Sequence, residues 1–105
     1  MDQAAYHREV AACLGHIAAV LDAYEDLDFQ AGDGLVAIDF EDGARFVVNR
    51  QSGADQMWLA AGARAWHYDW DDAQQTWVDD RDGHRLYDRL GEVVSAKLGR
   101  PVSFG

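Results

Sequence analysis

The chain has one cysteine, Cys13, and one proline, Pro101. A single thiol cannot close an intrachain disulfide or build a cysteine-based zinc site. So little cysteine also fits a reducing, cytoplasmic setting. Basic residues are scarce: 9 Lys and Arg stand against 19 Asp and Glu, a formal charge of −10. That sign repels phosphate backbones, so no nucleic-acid partner is expected. No apolar run approaches the ~20 residues of a membrane span, so no membrane partner is expected either. The first residues lack the charged-then-apolar pattern of a secretory signal. The glycines outside the helical stripes sit at turns, and none forms a phosphate-cradling loop. No Ser–His–Asp or Cys–His arrangement has the spacing of a nucleophilic site, so no catalytic residue is assigned and the chain is read as a non-enzyme. Cys13 lies on an apolar helical stripe and reads as a small buried hydrophobe.

What is present suits a packed core. Hydrophobic residues make up 49% of 105 positions, which predicts one domain over residues 1–105. Tyr6, Val10, Cys13, Leu14, Ile17, Leu21 and Tyr24 recur at helical spacing and predict a helix from about Asp2 to Leu21. From Asp28 the period becomes two. Strands are predicted at Val36–Phe40, Arg45–Gln51, Gln56–Ala60, Arg64–Trp70 and Thr76–Val78, with a weaker leading strand at Asp28–Ala31. Asp42-Gly43 and Ser52-Gly53 supply turns. Leu86, Tyr87, Leu90, Val93, Val94 and Leu98 give a second helical stripe, closed by Gly99 and Pro101. The order helix, strands, helix predicts an α+β fold: a two-layer α–β sandwich whose N- and C-terminal helices pack on one face of an antiparallel sheet of five to six strands.

Alternation also assigns faces. Phe46, Val48, Met57, Leu59, Trp66 and Tyr68 belong under the helices. Asn49, Gln51, Trp58 and His67 then fall together on the uncovered face. An aromatic among amides has the composition of a protein contact, although Trp58 could equally serve only to cover neighbouring strands.

The charge is unevenly spread. No Lys or Arg occurs between Arg8 and Arg45, while Asp22, Glu25, Asp26, Asp28, Asp33, Asp39, Glu41 and Asp42 crowd the same stretch. Carboxylates suit hard cations, including ferrous and ferric iron, Mn, Mg and Ca. Acids at the end of the first helix oppose its macrodipole and one another. This cost in stability favours a functional reading over a merely solvated face.

Ile38-Asp-Phe-Glu-Asp-Gly-Ala-Arg-Phe-Val-Val-Asn-Arg-Gln51 and Gln56-Met-Trp-Leu-Ala60 resemble the frataxin family, in particular its bacterial CyaY branch. Trp66-His-Tyr-Asp69, Trp77, Asp80-Arg-Asp-Gly83 and Val102-Ser-Phe104 continue the resemblance over nearly the whole chain. It implies an α–β sandwich and a role in iron–sulfur cluster assembly. It also implies weakly bound iron on an acidic ridge of the first helix and first strand, and docking on the cysteine desulfurase and its scaffold protein. Asp22, Glu25, Asp26 and Asp28 fall on that ridge, and Asp33 extends the candidate metal set. Asn49, Gln51 and Trp58 match the family's sheet-surface contacts, and His67 joins them by its face. A monomeric adaptor that regulates assembly or supplies iron is expected, with ferroxidase or iron-storage activity as the alternative. Two departures remove potential ligands. Ala18 and Ala19 stand where the branch often has adjacent glutamates, and the segment from Tyr24 to Leu35 is shorter.

Overall fold

The computed structural model describes residues 1–105. In chain order the elements are α1 (Gln3–Asp22), β1 (Asp28–Gly32), β2 (Leu35–Asp39), β3 (Arg45–Gln51), β4 (Gln56–Ala61), β5 (Arg64–Asp71), β6 (Thr76–Asp79) and α2 (Leu86–Leu98). A short helical turn, Ser52–Ala54, joins β3 to β4. The six strands form one sheet in sequential order, each antiparallel to its neighbour. The leading strand at Asp28, the weakest of the expected strands, is therefore present and forms an edge.

α1 starts where Asp2 accepts a hydrogen bond from the Ala5 amide at 2.7 Å, satisfying one of the free N–H groups of the first turn. Its buried side is Tyr6, Val10, Cys13, Leu14, Ile17 and Leu21, the stripe expected from spacing. α2 buries Leu86, Leu90 and Val94 and ends at Gly99, whose φ of 72° is left-handed and whose amide donates to the Ser95 carbonyl. The chain after α2 closes the core. Val102 and Phe104 are buried, and Ser95 Oγ both receives the Val102 amide (2.8 Å) and donates to its carbonyl (3.1 Å).

Both helices cover the same face. Val36, Ile38, Phe46, Val48, Met57, Leu59 and Tyr68 from successive strands are buried in one cluster with the helical stripes. Trp77 is 2% exposed, with Tyr6 and Trp70 edge-on at 6.0 and 5.4 Å. Two large aromatics sit at the rim of the core. Trp66 is half-buried, with the Arg64 and Arg89 guanidiniums 4.6 and 4.8 Å from its ring. Phe40 lies just past the end of β2 and packs edge-on against Phe46 at 4.7 Å. Ala37 is buried on the opposite side, because larger neighbours close over its small side chain.

Burial of Cys13 raises its thiol pKa to about 12. The native protein is therefore expected to resist a disulfide reagent such as DTNB at neutral pH and to react fully in denaturant; rapid native labelling would contradict the packing of α1. The two tryptophan environments also predict different costs. Trp77→Ala should destabilise the fold by about 3–5 kcal/mol and Trp58→Ala by about 1 kcal/mol, measured by urea denaturation. Equal losses would place Trp58 in the core.

Candidate functional site

The uncovered face carries a polar band with an indole at its centre. Register aligns Leu35, Asn49, Trp58 and His67 across four strands. The Asp80 amide, donating to the His67 carbonyl at 3.0 Å, extends the row into the β6–α2 turn. Trp58 and His67 stack with ring centres 4.3 Å apart and planes 22° from parallel. Gln51 pairs with Gln56 in the next row on the same face. All four residues selected from sequence, Asn49, Gln51, Trp58 and His67, therefore share one band and are half-buried.

Gln56 ties the band together. Its Oε1 accepts the Trp58 indole N–H at 3.1 Å, and its amide nitrogen donates to Asp69 Oδ1 at 3.0 Å and Asp80 Oδ2 at 3.1 Å. These partners fix the amide orientation: the oxygen faces the only donor and the nitrogen faces two carboxylates. Asp80 Oδ2 also lies 3.9 Å from His67 Nδ1. Alternation puts Gln56 on this face, but it does not single out Gln56 or Asp80. Their link depends on where the β6–α2 turn folds back.

The acids form a second feature. Asp22, Glu25, Asp26 and Asp28 are all exposed, spaced along the end of α1 and the connection into β1. Asp28 is the register partner of Asp39, which pairs with Arg45, whose Nε donates to Asp39 Oδ1 at 2.7 Å. Asp26, Asp28, Asp39, Glu41 and Asp42 line an open cleft of about 430 Å³, together with Lys97 and Arg100 from the end of α2. Arg100 Nη2 reaches Asp26 Oδ2 at 2.5 Å, and Lys97 Nζ donates to Asp42 Oδ2. The Lys97 contact, helped by the Ala44 amide, holds the Asp42 carboxyl below its ordinary range. Asp22, Glu25, Asp28 and Glu41 have no ion-pair partner.

Asp33 does not join this ledge. It occupies the β1–β2 turn, at the far end of β1 from Asp28, about 16 Å away along the strand. There it faces Arg50, with Nη1 to Oδ1 at 3.2 Å. Position 34 in the same turn favours glycine, because its φ of +78° is left-handed. Asp33 is close to those acids in sequence, but the extended β1 separates it from them.

A third cluster was not anticipated from spacing. Asp79, Asp82 and His84 bring possible ligand atoms within 4.8 Å of one another. Asp79 is buried and receives the Arg81 and Asp82 amides at 2.8 and 3.0 Å. His84 Nδ1 contacts Asp82 Oδ1 at 2.5 Å, and its Nε2 contacts the Tyr68 hydroxyl at 2.8 Å. With both ring nitrogens and the capping oxygen engaged, the set fastens the β6–α2 turn to β5. Its sequence signal is the Asp-x-x-Asp-x-His spacing within a turn.

A frataxin-like domain model matches residues 1–100. "Iron-sulfur cluster assembly protein CyaY" from Thioalkalivibrio sulfidiphilus is 38% identical over 81 residues, 77% of this chain and 76% of that protein. The protein of the same name from Dechloromonas aromatica is 36% identical over 104 residues, 97% of each chain. Among solved structures, frataxin from Psychromonas ingrahamii superposes with a TM-score of 0.90 at 24% identity, covering 100% of this chain and 99% of that one. Trimeric frataxin from the yeast Saccharomyces cerevisiae, complexed with ferrous iron, superposes with a TM-score of 0.73 at 25% identity, covering 88% and 87%. On the match across its length and the fold already described, this chain belongs to the frataxin family.

Proposed function

We propose that this chain takes part in iron–sulfur cluster assembly as an iron-binding acidic adaptor. It binds iron weakly on the ledge of Asp22, Glu25, Asp26 and Asp28, and docks through Asn49, Gln51, Trp58 and His67 on the cysteine desulfurase and its scaffold. The names of the two bacterial relatives support the pathway. The ferrous iron of the yeast neighbour supports the metal. The observation that carries the reading is geometric. The row Asp28–Asp39–Arg45 lies on the same uncovered face as the row Asn49–Trp58–His67, four residues along β3. At ~3.4 Å per residue the two rows are about 14 Å apart, so one partner can span both.

Charge and aromatic contact divide the work. The unpaired acids attract a basic surface and accelerate encounter, whereas Trp58 and the amides around it provide short-range contact. Oxygen donors with open coordination positions hold a hard cation through few protein ligands and many waters. Asp33 enters the metal set only as a separate, Arg50-paired group, and the ledge does not depend on it.

Reversing Asp22, Glu25 and Asp26 to lysine should slow association with the desulfurase more strongly at low salt than at high salt, followed by stopped-flow fluorescence. Equal salt dependence for parent and variant would reject the electrostatic half. Trp58→Ala should weaken the same complex with little change in the salt dependence of association. An anaerobic NMR titration with ferrous iron should perturb residues 22–28 and 39–42, and subsequent addition of desulfurase should extend the footprint to Asn49, Trp58 and His67. An iron footprint confined to Asp79, Asp82 and His84 would overturn the ledge assignment.

A further inference from the structure

The cleft at the ledge already holds two cations of its own chain. Lys97 reaches Asp42 across 55 positions of sequence, and Arg100 reaches Asp26 across 74. Each is also seated on an aromatic ring. The Lys97 ammonium is 6.0 Å from the centre of Phe40, and the Arg100 guanidinium is 5.7 Å from that of Tyr24. Both cations lie at the C-terminal end of α2, where its dipole favours positive charge. The acids they meet follow the C-terminal end of α1 or occupy the β2–β3 turn. Asp28 and Glu41, in the same cleft, have no ion-pair partner.

We infer that Lys97 and Arg100 are tethered counter-cations of this cleft, and that a hard multivalent cation enters by displacing them and releasing the end of α2. This rests on the reading of the ledge as a cation site and adds the residues that set its threshold. A monovalent ion offers each carboxylate no more charge than the tethered group already supplies. A divalent ion can bridge an unpaired acid, Asp28 or Glu41, and a paired one. The link to α2 follows from the length of the tethers: once Asp26 or Asp42 turns to a metal, the residues from Ser95 to Arg100 lose a long-range anchor.

The test uses Mn²⁺ as the probe and three forms of the full chain: the parent, Lys97→Gln/Arg100→Gln, and Arg8→Gln/Arg81→Gln. The last pair makes the same charge change on the early part of α1 and in the β6–α2 turn. At about 0.1 M KCl, where the screening length is about 10 Å, the remote pair should have little effect on the cleft. Two exposed ion pairs are each of modest strength, so removing both should tighten Mn²⁺ binding by about three- to tenfold. The remote variant should stay within about twofold of the parent. Mn²⁺-induced NMR broadening should centre on residues 26–28 and 39–42 in all three. In the parent, saturation should speed amide hydrogen exchange at residues 95–100. Lys97→Gln alone should bind with intermediate affinity and should raise the Asp42 carboxyl midpoint, confirming that the pair was present in solution. If both double variants bind alike with the footprint on the cleft, the counter-cation role is wrong and the ledge reading stands. If the footprint lies outside residues 22–28 and 39–42 in every form, both fall.

Discussion

Two helices lie on the same side of a six-stranded sheet, and nothing of this chain covers the other side. Burying that single face orders the molecule. Alternate residues of each strand must be apolar to meet α1 and α2, so their neighbours are released from any packing requirement. Met57 and Leu59 are sealed while Trp58 between them stands half-open. The polar band is thus the complement of the core, strand by strand.

Freedom from packing does not leave the open face loose. Gln56 bonds an indole donor and two carboxylates, and His67 stacks on the indole. A large aromatic on a solvent-facing sheet would otherwise sample several rotamers and lose more entropy when bound. The hydrogen bond to Gln56 and the stacking on His67 restrict that sampling. The same face carries the Asp28–Asp39–Arg45 row at one end, so the charged row and the aromatic row share one sheet.

Electrostatics at the ledge is a balance between an unfavourable local arrangement and a favourable distant one. Acids crowd the C-terminal end of α1, against its dipole. Cations cluster at the C-terminal end of α2, with its dipole, and the fold brings the two ends together. Part of the carboxylate charge is neutralised there, while Asp22, Glu25, Asp28 and Glu41 remain uncompensated. The ledge therefore carries uncompensated carboxylates beside carboxylates paired within the chain.

Period and turn chemistry made most of the fold legible. The α1 stripe, the strands, the α2 stop at Gly99 and the membership of Asn49, Gln51, Trp58 and His67 in one outward set all follow from local rules, because alternation and helical spacing depend only on neighbours in sequence. The family resemblance added a functional context that no spacing rule supplies. Some features required the third dimension. Asp33 in the β1–β2 turn meets Arg50 from the end of β3. The pairs Asp26–Arg100 and Asp42–Lys97, the Gln56–Asp80 bond and the His84–Tyr68 contact each join residues brought together only by closure of the sheet and return of the last helix. The sequence by itself determined which side chains face the core and which face outward, since that is a property of backbone periodicity. Only the tertiary structure decided which charges meet, because ion pairing depends on distances between segments that no local pattern encodes.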